Sequence, residues 1–400
     1  MGSQALLNNN AGSANTATGA QTLVSNTNGT SNSATGYQAL FSNTGGDNNT
    51  ANGAFALQIN STGNSNTAIG EGALFNNTTG SSNTASGTDA LSKNKSGSNN
   101  TATGVGALEN NTASANTAHG AFPLFSNTIG VQNTANGFNA LVSNTSGGHN
   151  TATGFNALQN NTIGNSNTAM GQGALNLVTT GSSNTANGQV ALKNLTTGSS
   201  NIALGMNAGI NLTTGSNNID IGNVGVAGDA NMIRIGKQGA QTRTFVAGIF
   251  GSTVASGVGV IVNSSGQLGT VLSSERFKEA IKPMEKASEA ILALKPVTFR
   301  YKKELDPDDA PQFGLVAEQV EKVNPDLVAR DEEGKPYTVR YEAVNAMLLN
   351  EFLKEHQKVQ RLEAAAEKQQ KQIEALTATV QKVSDQIALD KPAPQLVTNP

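Results

Sequence analysis

Two side-chain types that can cut a peptide bond between them stand close together in Leu272-Ser273-Ser274-Glu275-Arg276-Phe277-Lys278-Glu279. A serine hydroxyl attacks only when something takes its proton, and with no histidine nearby Lys278 must be that base. A free lysine, near pKa 10.4, is protonated at neutral pH; burial disfavours the charge, and a value of about 7–8 suffices for base catalysis. Phe277 is one source of such burial. Attack by Ser273 on the carbonyl of Leu272 would give an ester that water opens, a single cut of the chain by itself with no external substrate expected. Spacing leaves the nucleophile open. On a straight helix Ser274 and Lys278 share a face, whereas Ser273 reaches Lys278 only from extended chain before the helix begins. Glu275, Arg276 and Glu279 are candidates to shape the site or to pair across chains. The bland alternative is a serine-rich helix cap.

The junction divides two unlike compositions. Residues 1–272 hold six acids and six bases, and residues 273–400 hold twenty-two and nineteen, so the net charge of −3 lies in the last third. No basic stripe calls for nucleic acid, and no apolar run is long enough to span a membrane. With no cysteine there is neither a disulfide framework nor a thiolate zinc site. No signal peptide follows Met1.

Upstream lies a repeat. Glycines recur at 2, 19, 36, 53, 70, 87, 104, 120, 137, 154, 171, 188, 205 and 222, spaced by 17 residues except for 16 between Gly104 and Gly120. Because Gly2 is already in phase, more repeats or an anchoring domain are expected upstream. Asn, Thr and Gly are poor helix formers, so one β-solenoid coil per repeat is the natural reading, with two short strands, two turns, and Gly or Asn at corners needing positive φ. Ala68, Ala73 and Leu74 mark the inward positions. Two alanines and a leucine make a thin core, which points to several chains packed or intertwined. The Asn-Thr pairs (Asn43-Thr44, Asn77-Thr78, Asn127-Thr128) should stack as ladders whose amides pair from rung to rung. Asn111-Thr112-Ala113-Ser114-Ala115 trims one loop without losing phase. Thirteen intervals give about 60 Å of rod at about 4.8 Å per rung. A threonine ladder (Thr67, Thr84, Thr101) could meet ice or glycans, but it reads more simply as satisfied hydroxyls. Asp47, Asp89 and Asp220 are too few for a calcium roll, and His119 and His149 fall at unrelated phases, so no metal or cofactor is expected.

From 223 to 272 the period is lost and aliphatic residues increase, as at Ile233, Ile235, Phe245, Ile249 and Val260. Gly259–Val262 and Gln267–Val271 suggest a hairpin leading into Ser273. Beyond it the pattern predicts a helix near Lys282–Leu294, a strand at Val297–Tyr301, and an acidic turn at Asp306–Asp309. Next come Gln312–Ala317 running into a helix through Val323, strands at Leu327–Ala329 and Tyr337–Tyr341, and one helix from Glu342 to about Leu389. In that helix Phe352, Glu355, Val359, Leu362, Ala366, Gln369, Ile373, Leu376, Val380, Val383 and Ile387 alternate at spacings of three and four, a coiled-coil seam with two polar positions that can set register. Residues 391–400 read as a frayed tail. The fold class is thus a mostly β, trimeric 17-residue repeat β-solenoid (1–222), a β connector (223–272), an α+β core (273–341), and a helix ending in a trimeric coiled coil (342–390).

Four markers appear in order: Ser273-x-x-Arg276-x-Lys278, Leu294 to Tyr301, Gly314 to Val320, and Tyr341 to Leu349. On these residues the part from 273 to about 390 resembles the self-cleaving intramolecular chaperone domain of endosialidase tailspikes, phage tail fibres and myelin regulatory factor. The array is similar to the repeats of trimeric tail fibres and of autotransporter adhesin heads, as in Asn66-Thr67-Ala68-Ile69-Gly70. The resemblance implies a homotrimer that folds the preceding fibre and then releases itself at the junction serine, with Ser273 as nucleophile and Lys278 as base. That family has Asp after the serine where Ser274 stands here, a departure expected to slow the attack or to move it to Ser274. It also implies an extracellular setting, on a virion tail or bacterial surface, with a cell-surface glycan or receptor as the external partner.

Three functions compete. The first is a fibre matured by its own chaperone, with a structural, glycan- or ice-binding fibre carrying a silent chaperone domain as its variant. A polysaccharide hydrolase needs paired carboxylates, and six scattered acids in 1–272 do not supply them. A membrane-tethered transcription factor lacks both its transmembrane helix and its DNA-binding domain.

Overall fold

The computed structural model describes residues 2–249 and 251–389; the expected tail at 391–400 lies outside the described residues. The chain forms two compact units, Met1–Val246 and Ala247–Pro400, each taken here by itself.

The first unit is a β-solenoid. Fourteen three-residue strands, from β1 (Thr16–Thr18) to β14 (Ile233–Ile235), make one parallel sheet in chain order. The register advances by one repeat per rung, Ala51 opposite Ala68 and Ala68 opposite Ala85. At the short repeat Thr101 still pairs with Thr117, so the trimmed loop keeps phase. One rung continues beyond residue 222, where Ile219 pairs with Ile233 across a shortened interval. In each strand the central alanine points inward; Ala68, Ala73 and Leu74 are fully buried, as their phase predicts.

The second wall of the coil differs from expectation. It is a stack of turns rather than a second strand. After Gly53 (φ +145) the chain passes through left-handed backbone at Phe55 (φ 63) and again at Leu57 (φ 51). The alternation sends Phe55 N–H to Tyr37 O in one neighbouring rung and Leu57 N–H to Ala73 O in the other, each at 2.9 Å. Left-handed backbone costs a non-glycine residue about 1–2 kcal/mol. The rung-to-rung hydrogen bonds and the complete burial of Leu57 offset that cost. Glycine is required where rungs approach most closely: a Cβ on Gly53 would lie 2.5 Å from Gly70 O.

Two asparagine ladders complete the core. Asn43 Nδ2 donates to Asn26 Oδ1 (2.8 Å) and to Gly46 O (3.0 Å), and Asn60 repeats the pattern onto Asn43 (2.7 Å) and Gly63 O (3.0 Å). The asparagine that opens Asn-Thr-Ala forms a second column: Asn66 Nδ2 donates to Gly80 O (2.9 Å) while its Oδ1 accepts the Asn83 backbone N–H (3.0 Å). Both ladders are buried. One chain closes every coil on its own, because buried amides that find partners in the next rung supply the packing that two alanines and a leucine lack.

Ladder ends show the same rule by exception. Asn94 Oδ1 has no hydrogen-bond partner, because in the short repeat Asn111 Nδ2 turns to Ala113 O (2.8 Å). Asn161 Oδ1 has none either, because Val178 occupies the next rung's ladder position.

In the second unit a hairpin pairs β15 (Val260–Val262) with β16 (Leu268–Thr270), closed by Asn263 N–H to Gln267 O (3.1 Å) and Gly266 N–H to Asn263 O (3.0 Å). A 3-10 helix spans Glu285–Ala293. Then β17 (Val297–Phe299) pairs with β18 (Gln312–Gly314), α1 covers Ala317–Val323, and β19 (Val328–Arg330) pairs with β20 (Pro336–Val339). A helix, α2 (Tyr341–Leu389), runs unbroken to the end of the described chain. Its small core is Val320, Leu327, Val328 and Val339.

Candidate active site

Ser273 lies in non-helical chain, and Ser274 is extended (φ −64, ψ 141) ahead of a single 3-10 turn, Glu275–Phe277. The turn is closed by Phe277 N–H to Ser274 O (3.0 Å) and Lys278 N–H to Glu275 O (2.9 Å). Lys278 is already extended (φ −121, ψ 144). No straight helix puts Ser274 and Lys278 on one face, and Ser273 precedes the turn in non-helical chain. The helix-cap alternative fails on geometry: Ser274 makes no side-chain cap hydrogen bond.

Every residue from Leu272 to Glu279 is exposed in the single chain, and among the described residues no hydrogen bond joins Ser273 or Ser274 to Lys278. The Arg276 guanidinium lies 4.6 Å from the centre of the Phe277 ring, a cation–π contact that shields one face of the only aromatic beside the lysine. Glu275 lends its carbonyl to the turn, and Glu279 makes no ion pair among the described residues. Ser273 and Lys278 therefore stand at opposite ends of one tight turn, both in water.

A second serine–lysine pair escaped the sequence reading. The buried Ser288 hydroxyl donates to Glu351 Oε1 (2.5 Å) and accepts from Asn350 Nδ2 (2.7 Å) and Lys354 Nζ (3.3 Å). Lys354 also holds Glu351 at 2.6 Å. The hydrogen bonds from Lys354 and then Ser288 hold the Glu351 carboxyl below the usual range. This lysine is paired and the serine is sealed from substrate, so the cluster clamps the 3-10 helix onto α2. Its signal was the polar Asn350, Glu351 and Lys354 at positions that share one face of α2.

The threonines of the array divide into two classes. Thr44, Thr78 and Thr128 donate to carbonyls one rung on (Ser61 O, Lys95 O and Thr145 O, at 2.8–3.0 Å). The strand threonines Thr67, Thr84 and Thr101 face outward and make no side-chain hydrogen bond among the described residues.

No helix is long and apolar enough to cross a membrane among the described residues. No curated protein and no solved structure matches the chain. The match to a known family stops at residue 329, short of the Tyr341–Leu349 marker, but it opens on the junction serine: residues 273–329 match the family described as chaperone of endosialidase.

Proposed function

We propose that the chain is a homotrimeric fibre subunit of a virion tail or bacterial surface whose C-terminal unit trimerises it and then cuts itself free between Leu272 and Ser273. The observation that carries this reading is the coincidence at one residue: the chaperone of endosialidase match begins at Ser273, which also sits in non-helical chain one tight turn before Lys278.

In the reaction Ser273 Oγ gives its proton to Lys278 Nζ and attacks the Leu272 carbonyl. The Leu272–Ser273 amide bond breaks, the lysine returns the proton to the new amine, and water hydrolyses the ester to leave a Leu272 carboxylate. Only a desolvated, neutral lysine can begin this. Because Lys278 is exposed in one chain, burial must come from assembly, which makes the cut follow trimerisation. The seam of α2 supports that order: Phe352, Leu362, Ile373, Leu376, Val380 and Ile387 each remain more than half exposed. Three such helices in register would align the arrays, whose repeated identical rungs otherwise slip easily. Removing them afterwards would leave a fibre stable by kinetics.

A denaturing gel with intact mass of the purified chain tests this: two fragments meeting at Leu272/Ser273 support it, and an uncut trimer after long incubation removes the protease and leaves the chaperone. The unpaired strand threonines favour one further reading, a glycan- or ice-binding fibre with a silent C-terminal unit. That reading predicts an uncut chain that retains binding.

A further inference from the structure

The strand face of the solenoid turns inside out at its end. Through β11 (Thr185–Asn187) the first outward position is Thr, with Ser33 once, and the inward one is Ala. From β12 (Ile202–Leu204) both outward columns become aliphatic. Ile202, Ile219 and Ile233 stack in one, and Leu204, Ile221 and Ile235 in the other. The inward column meanwhile runs Ala203, Asp220, Arg234. Asp220 is 2 % exposed, whereas Ile233 and Ile235 are 67 % and 72 % exposed. A strand that turns its charge inward and its aliphatic residues outward belongs between two protein surfaces rather than at a protein–water boundary.

We propose that this aliphatic face of β12–β14 is a homotypic interface, through which copies of the chain hold together independently of α2. The occupant follows from size and charge. With Met206 and Met232 also exposed where these strands end and begin, the patch leaves on the order of 600 Å² of apolar surface, at the upper end of what a monomer ordinarily shows and approaching one partner's share of a standard interface. The six acids and six bases of residues 1–272 balance, so copies approach without net repulsion. The proposal deepens the reading above and rests on it in one respect. The face lies N-terminal to the cut, so it stays with the fibre when the seam of α2 departs.

The test uses full-length chains carrying Ser273→Ala, so that none is cut. One variant replaces Leu204, Ile221, Ile233 and Ile235 by Thr, a residue that the outward columns of the earlier rungs already carry. A second replaces Ile373, Leu376 and Val380 by Asp, and a third combines the two sets. Sedimentation measures assembly, and hydrogen exchange follows the amides of 202–235 with β1–β11 as the folding control. The seam variant is expected to remain associated, the combined variant to dissociate at least about tenfold more readily, and the face variant to lose protection at 219–235 alone. A monomeric seam variant, or a combined variant that associates as well as the seam variant, overturns the proposal. A seam variant that matches its parent instead overturns the helix reading, while the step from seam to combined variant still decides the face.

Discussion

The two units of this chain use opposite strategies. The solenoid needs no partner to make its core: leucines and alanines from Leu23 to Leu212 form one buried cluster, and the asparagines beside them are bonded from rung to rung. The C-terminal unit buries four hydrophobic residues and leaves Phe313, Tyr337, Leu348 and Phe352 largely exposed. It also carries an open apolar groove of about 530 Å³, lined by Ile291, Leu294, Val297, Phe313, Val344 and Leu348. One unit closes its core within a chain, and the other leaves much of its apolar surface open. On the proposed reading other chains cover that surface, so that its stability appears only on assembly and assembly precedes the cut.

The contrast breaks most sharply at Ser273. Ser273→Ala is expected to lower cleavage by at least about a thousandfold while trimerisation persists, since the seam is untouched. Lys278→Arg should be equally inert, because a guanidinium does not give up its proton. N-terminal sequencing of the released fragment decides the nucleophile, and a fragment starting at Ser274 would transfer the role to Ser274.

Next in size is the phase of the array. Deleting residues 71–87 removes one whole coil and should leave circular dichroism and melting nearly unchanged. Deleting residues 71–78 sets strand against turn and ends both ladders at once, so the solenoid should unfold from that rung. Equal tolerance of the two deletions would mean that the rungs do not depend on one another.

What the sequence revealed followed period, and what it hid followed backbone conformation. Ala68, Ala73 and Leu74 were legible as core because they recur in phase, and the Asn43 ladder because identical amides must stack. The left-handed backbone at Leu57 was not legible, since no local preference puts leucine there; only the carbonyls of the neighbouring rungs hold it. The second ladder at Asn66 was missed because its asparagine also reads as a turn residue. At the junction, helical spacing favoured Ser274; the short turn at Glu275–Phe277, which periodicity could not foresee, leaves no straight helix for that spacing to act on.

A smaller effect separates the end of the solenoid from its middle. Burial first, and the neighbouring Asp229 second, push the Asp220 carboxyl up to about 6 against the opposing pull of Arg234. The folded state then binds a proton more tightly than the unfolded chain. The contribution of Asp220 to the last rungs is therefore greatest below the ordinary carboxylate range, falls as pH rises from about 4 to about 6, and is level above that. Asp229 acts in the opposite sense. Its hydrogen bond from Arg234 holds it below the ordinary value, so its contribution is lost under stronger acid. Exchange protection at 219–235 should rise by on the order of 1 kcal/mol between pH 7 and 5, then fall in stronger acid. Asp220→Asn should flatten the rise while β1–β11 stay unchanged, and a slope that survives this substitution would place the titration elsewhere.

The smallest effect tests whether a ladder ends or breaks. Asn161 Oδ1 is buried without a donor, so Val178→Asn looks like a repair. The introduced amide would indeed reach Asn161 Oδ1 and Gly181 O, as Asn161 Nδ2 reaches Asn144 Oδ1 and Gly164 O at 2.8 and 3.0 Å. Its own oxygen would then face Leu195, which has no hydrogen to give. The orphan moves up one rung and the apolar contact of Val178 is lost, so stability should change by less than about 1 kcal/mol, in the unfavourable direction. Asn144→Val exchanges the same two side chains in mid-ladder. It strips Asn127 Oδ1 of its ladder donor and Asn161 Nδ2 of an acceptor, a loss of about 1–3 kcal/mol. Chemical denaturation of the two variants compares them directly. A stabilised Val178→Asn chain would mean that water already reaches the ladder's end, and equal losses would mean that rung-to-rung amides contribute nothing beyond their volume.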